Sequence, residues 1–216
     1  MEKVLTRVLL IRHGEVENPE GILIQRLPGF HLSKVGIEQV NSLASILKQA
    51  KFNIGLVYSS PLERALETAE IISKKLGGVK VEVREELNEV NNPALQGKSK
   101  LARLFLLVMN GFNSYSKHFI DLGGEKPEEV ILRTRGLLTE VLEKHKEEVD
   151  IAFVFHADPI RLLLWSFQNH RREETITSRK LKDHDYLRKA EAIVLNFDKQ
   201  SRFCGFEHIK HNANLI

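Results

Sequence analysis

Apolar residues follow two alternating rhythms along the chain. Val4 to Ile11 is a nearly unbroken aliphatic run, the pattern of a strand buried on both faces. Leu32 to Gln49 then takes a helical period, with Ile37, Val40, Leu43, Ala44 and Leu47 on one face. Ser33 is placed to cap this helix, and Leu32 to pack against Ile37. Ile54 to Tyr58 predicts a second strand. The stretch after it carries the clearest helix signal: Ser60 as cap, Pro61 at the first helical position and Glu63 completing a capping box. Leu62, Ala65, Leu66, Ala69, Ile72 and Leu76 form its apolar stripe, and Gly77 ends it.

Val79 to Val83 reads as a short strand. Lys98 to Phe119 reads as a helix with apolar residues nearly all round, more in keeping with core than surface, although a lid or dimer contact also fits. Pro127 to Lys146 predicts a helix with Val130, Ile131, Thr134, Leu137, Leu138, Val141 and Leu142 at helical spacing. "IAFVFH" has no polar residue before His156, as expected for a strand in the middle of a covered sheet. Asp158 and Pro159 resemble the cap and first turn of another helix. Ala192 to Phe197 and Phe203 to Ile209 read as a strand pair around "DKQS".

Alternating strands and helices predict a three-layer α/β/α sandwich with a mainly parallel central sheet. No repeat, low-complexity tract or linker divides the chain, so residues 1–216 are expected to form one domain, with a lid at about 91–125. Hydrophobic residues make up 42% and charged residues 28%, an ordinary globular composition. Net charge is only +3, with acids spread throughout, which gives no argument for nucleic acid. The single cysteine, Cys204, excludes an intrachain disulfide. The opening "MEKVLTRVLL" is short and interrupted by Arg7, and no later stretch reads as a leader or membrane span. A cytoplasmic protein without a membrane partner is the expectation.

Ligands of such sheets bind beyond the carboxyl ends of the strands. The first strand ends in Arg12-His13-Gly14, the second leads through "SSPLER" to Arg64, and "IAFVFH" ends in His156. Side by side, these strands would bring two arginines and two imidazoles together, which requires a compensating anion. Phosphate fits the forked donors of arginine, and helix starts near Gly14 and Asp158 would add backbone N–H groups. Each charge-assisted hydrogen bond contributes about 1.5–3 kcal/mol. Singly, each residue has an ordinary reading: Arg12 as a surface arginine, His156 as a structural histidine, and Arg64 as an exposed residue opposite the apolar stripe. Arg64 lies in the first turn of its helix, above the strand end, which favours the pocket.

"LLIRHGEVEN", "YSSPLERALETAE", "LNEV" and "VFHADPIRLLL" together resemble, in order and separation, the signature blocks of the histidine phosphatase superfamily, or phosphoglycerate mutase-like family. The resemblance spans about residues 8–165 and implies roles. His13 would be the nucleophile that becomes phosphohistidine. Arg12, Arg64 and His156 would hold the phosphoryl oxygens. Glu89 would protonate the leaving oxygen and then deprotonate water. Gly14 would let the backbone pass close to the phosphate, Asn18 matches a position that often contacts substrate, and Ala157 stands where the family commonly has glycine. Glu125, in "LGGEKPEE", matches an element of some family phosphatases and is a second candidate acid or a loop anchor. "NEVNNPALQGKS" lacks an aromatic residue often found there.

The resemblance implies a phosphatase acting on a small phosphorylated substrate, with no cofactor and no metal. The alternatives are a phosphoglycerate mutase, which "PALQG" resembles faintly, and a non-catalytic phosphate-ligand module. A homodimer is compatible with the apolar helix. The other histidines (31, 118, 145, 170, 184, 208 and 211) form no convergent pattern. "NHRREE" and "SRKLKDHD" read as solvated surface.

Overall fold

The computed structural model describes residues 6–111, 113–145, 149–167 and 187–210. "NHRREE", "SRKLKDHD" and histidines 170, 184 and 211 lie outside the described residues, as do Val4 and Leu5.

In chain order the elements are β1 (Thr6–Arg12), α1 (Lys34–Gln49), β2 (Ile54–Ser59), α2 (Glu63–Lys75), β3 (Val81–Val83), α3 (Lys100–Met109), α4 (Lys117–Asp121), α5 (Pro127–Lys144), β4 (Asp150–Phe155), α6 (Ala157–Trp165), β5 (Ala192–Phe197) and β6 (Phe203–Ile209). A single 3₁₀ turn, Glu85–Leu87, follows β3. The strands form one sheet in the order β3-β2-β4-β1-β5-β6. The pairs β3–β2, β2–β4 and β4–β1 are parallel, and the β1–β5 and β5–β6 pairs are antiparallel. The two terminal strands thus return as a hairpin on an otherwise parallel sheet.

Both faces of the sheet are covered, and the side-chain alternation of β1 assigns each residue to a layer. Val8 and Leu10 join Tyr58, Phe153 and Phe155 under α5 and α6; Leu9 and Ile11 join Val57, Ala152 and Val154 under α1 and α2. Burial of each of the Val, Leu, Ile and Phe side chains among them contributes about 1.5–3 kcal/mol. The result is the expected α/β/α sandwich.

The structure differs from the sequence pattern at four places. Ile37 is 43% exposed, and the buried face of α1 takes in Gly36 and Gln39 instead. That rotation is set by contact between backbones: a Cβ on Gly36 would sit 2.1 Å from Glu15 O. Helix α2 begins at Glu63 with Leu62 as its cap residue, so Ser60 is not the cap and Pro61 precedes the helix. Glu63 accepts from Gly29 N at 3.0 Å rather than closing a capping box. The buried stripe of α2 includes Arg64, Thr68 and Ser73, while Leu62 and Leu66 are half-buried.

The stretch from Lys98 to Phe119 is not one core helix. It divides into α3 and α4, and α3 buries none of its residues. Leu101 is 78% and Phe105 63% exposed. The last difference is at α6, which is capped by His156, leaving Asp158 inside its first turn.

Candidate active site

β1 and β4 run parallel with Arg12 opposite Phe155, so the residues that follow each strand emerge at the same edge. His13 N donates to Phe155 O at 3.1 Å, which places His13 beside His156. Their ring centroids lie 5.2 Å apart. Gly14 can follow His13 only because it lacks a side chain: a Cβ there would be 2.7 Å from Gly36 O and 2.9 Å from Val40 Cγ2. Gly14 N donates to Thr68 Oγ1, and Thr68 Oγ1 donates to Arg64 O. This relay joins the end of β1 to the first turns of α2. It also explains why a helix face that reads as polar is buried.

His13 is buried, and its Nδ1 is 2.8 Å from the carbonyl oxygen of Gly14. A carbonyl can only accept, so Nδ1 carries the proton and Nε2 presents its lone pair. Burial, then Arg64 and Arg12, hold the His13 pKa well below 6.5, which keeps the ring neutral. His156 is likewise held well below 6.5, by burial first and then by Arg64.

Arg64 is 1% exposed. Its Nη2 donates to Gln25 O at 2.6 Å, while Nε and Nη1 are buried with no hydrogen-bond partner. Arg12 Nη1 donates to Leu187 O at 2.7 Å. Glu89 has a side chain only 15% exposed, with Oε2 3.9 Å from His156 Nδ1 and Oε1 accepting from Val90 N at 2.8 Å. Burial, followed by the neighbouring Asp158 carboxylate, raises the Glu89 pKa to about 7. A carboxyl poised there can give and take protons near neutrality.

Arg12, His13, Asn18, Gln25, Arg64, Glu89, Arg103, Ala157, Asp158 and Lys189 are among the residues lining one cavity of about 380 Å³. His156 stands behind this wall, fully buried. Gly14 is buried just beyond His13, and its nitrogen is committed to Thr68. The Asn18 carboxamide lines the cavity but also closes its own loop, donating to Ile22 O at 2.8 Å and accepting from Ile22 N. Glu125 lies apart from the cavity lining. It pairs with Arg26 at 2.9 Å and Arg133 at 2.7 Å and accepts from Asn91 N, the bonding of a loop anchor.

Sequence reasoning missed Asp158, Arg103 and Lys189. Asp158 had a signal, because it directly follows the His156 block in a first helical turn. Arg103 is one turn beyond Lys100 on an otherwise apolar helix, which marks the polar side of α3. Lys189 sits between two other residues of a loop with no periodic pattern. A second space of about 660 Å³ adjoins the first, sharing Asn18, Arg103 and Lys189, and is also lined by Lys98 and Lys100. Among the described residues, no group of three or more His, Cys, Asp or Glu side chains could hold a metal ion. No described helix is long and apolar enough to cross a membrane.

Comparison with known proteins agrees with the fold. Mycobacterial glucosyl-3-phosphoglycerate phosphatase Rv2419c, in a structure with VO3, superposes with a TM-score of 0.74 over 96% of this chain and 99% of that one, at 22% identity. Phosphoglycerate mutase-like protein 4 of Arabidopsis thaliana is 31% identical over 160 residues, 72% of this chain and 68% of the relative. An uncharacterized Mycobacterium tuberculosis protein, Rv0525, is 51% identical over 70 residues, 32% of this chain and 34% of its own length, so that match spans about a third of the relative. Residues 8–186 match the family model of the histidine phosphatase superfamily (branch 1), and the chain belongs to that superfamily.

Proposed function

We propose that the chain is a phosphomonoester hydrolase working through phosphohistidine at His13. The observation that carries this reading is Arg64, a cation 1% exposed with two unpartnered buried nitrogens beside a neutral histidine. Buried donors of that kind each cost about 1–3 kcal/mol, and a phosphoryl group would satisfy them. His13 Nε2 attacks phosphorus while the bond to the ester oxygen breaks, and Glu89 delivers its proton to that oxygen. Water then attacks the phosphohistidine, Glu89 takes the water proton, and the nitrogen–phosphorus bond breaks to release phosphate. Arg12, Arg64 and His156 stabilise the charge that develops on the phosphoryl oxygens.

The segment at about 91–125 acts as a lid held by Glu125. The adjoining basic space, with Lys98, Lys100, Arg103 and Lys189, suits an ester whose leaving group carries a further negative charge. The substrate is a small phosphorylated molecule, and the setting is cytoplasmic.

The test is a panel of phosphate esters, in pairs differing by one extra carboxylate or phosphate, with phosphate release measured for wild type and His13→Ala. Acid-labile phosphate on the wild-type protein, absent from His13→Ala, supports the reading. Full activity in His13→Ala would refute the nucleophile. Isomerisation of a phosphoglycerate faster than phosphate release would replace the hydrolase with a mutase.

A further inference from the structure

We propose that Ser60 is a positioning residue that fixes the tautomer of His156, holding the ring proton on Nδ1. This rests on the proposed chemistry at His13 but can be tested apart from it. His156 Nε2 lies 2.8 Å from Ser60 Oγ, and both side chains are fully buried. A serine hydroxyl can donate or accept, so the distance alone does not say which group gives the proton. The surroundings decide it.

Ser60 Oγ already accepts from Leu62 N, at 3.4 Å. Its only other partner among the described residues is His156 Nε2. If Nε2 carried the proton, the serine hydroxyl hydrogen would be buried with no acceptor. The arrangement that satisfies both the Ser60 hydroxyl and Nε2 has Ser60 O–H donating to Nε2, which leaves the single proton of a neutral imidazole on Nδ1. Depression of the His156 pKa by burial and Arg64 supports the neutral ring.

The consequence falls on the other side of the ring. Nδ1 is buried, has no hydrogen-bond partner, and lies 3.9 Å from Glu89 Oε2. A proton there makes the ring a donor on the side that faces Glu89. The opposite tautomer would turn a lone pair toward Glu89, and the two would repel whenever that carboxyl is ionised. Ser60 is rigidly placed for this task, because its backbone N donates to Val154 O at 3.0 Å at the end of β4, one strand residue from Phe155. The residue that reads as a helix cap in the sequence is released from capping, and its hydroxyl is spent on the histidine.

The experiment uses ¹⁵N-labelled full-length protein. Two-bond ¹⁵N–¹H spectra of the histidine rings report the tautomer directly, with His156 assigned by comparison with His156→Gln. Wild type is expected to show the Nδ1–H form, and Ser60→Ala to lose it. On the best ester of the panel, Ser60→Ala is expected to lower kcat at least tenfold, with KM changed less than threefold, and Ser60→Thr to restore most of it. An Nε2–H tautomer in wild type would overturn the proposal, as would a Ser60→Ala kcat within twofold of wild type. If His13→Ala stayed fully active while the wild-type tautomer was Nδ1–H, the phosphohistidine reading would fall and the Ser60–His156 assignment would stand.

Discussion

Glu89 offers a prediction in which catalysis and stability share one number. In the unfolded chain its carboxyl ionises near 4.5, and in the folded protein it holds its proton until about 7. Between these values the folded state binds the extra proton, so stability falls as pH rises through that window and the full cost is present above it. A rise of about 2.5 in pKa at 1.36 kcal/mol each gives roughly 3 kcal/mol. The perturbation is Glu89→Gln, which keeps an oxygen to accept from Val90 N but cannot ionise. Near pH 5 the variant and wild type should differ by under about 1 kcal/mol; at pH 8.5 the variant should be more stable by about 3 kcal/mol. The groups that set this shift are the buried site itself and Asp158, opposed by Arg64 and Arg12. Urea unfolding at both pH values measures it. Activity gives the second readout: wild-type kcat/KM should descend as pH rises through about 7, where the acid loses its proton. If the stability gap between variant and wild type failed to widen by at least about 1 kcal/mol from pH 5 to 8.5, the strained-carboxyl argument would be wrong.

Arg64→Met should abolish phosphate release while raising the melting temperature, because it removes a buried cation with two unpartnered nitrogens; calorimetry with vanadate should show a ligand-induced rise in wild type only. Gly14→Ala should lower the melting temperature, by about 2–4 °C for each kcal/mol of overpacking, since the new methyl would meet Gly36 O at 2.7 Å; unchanged thermal melts would contradict that contact. His13 and His156 are both held neutral below their ordinary range, so the folded protein should lose stability as pH falls below about 6.5, which acid titration of the His13→Ala variant should partly relieve. Phe105→Glu, on the exposed face of α3, should change unfolding free energy by less than about 0.5 kcal/mol.

The sandwich was legible because its strands are nearly pure in apolar residues. β4 needed no tertiary information: Ile151 to Phe155 carries no polar side chain, the pattern of a strand covered on both faces, and all five residues are buried. α3 was misread for the same reason that β4 was read correctly. "LFLLVM" has the composition of core, but burial depends on what lies opposite, and α3 is only partly covered: Leu106 and Leu107 are half-buried and none of its residues is buried. The Ser60–Pro61–Glu63 signal has every element of a capping box, yet the helix starts later because Ser60 and Glu63 are drawn to His156 and Gly29. Local rules describe the best use of a side chain within its own segment; these two serve distant segments. The same limit hid Asp158, whose local reading as a cap is satisfactory and whose place in the cavity depends on Arg12 and Glu89 being there.

The buried face of α2 shows how this pocket is built. Arg64 and Thr68 are one turn apart, and Thr68 connects the Arg64 carbonyl to the Gly14 nitrogen. An aliphatic side chain at position 68 would suit a buried helix face, but it would leave Gly14 N buried without its acceptor. The polar residues on this face are therefore held by what they satisfy in the strand-end loop, not by solvent. Their cost is concentrated in Arg64, whose positive charge is disfavoured by burial and by Arg12 while Glu89 and Glu63 favour it. Neutralising Glu89 by protonation removes part of that support and leaves the guanidinium more in need of an anion. The protonation state required of the acid is thus the state in which the site has the greatest electrostatic demand for phosphate.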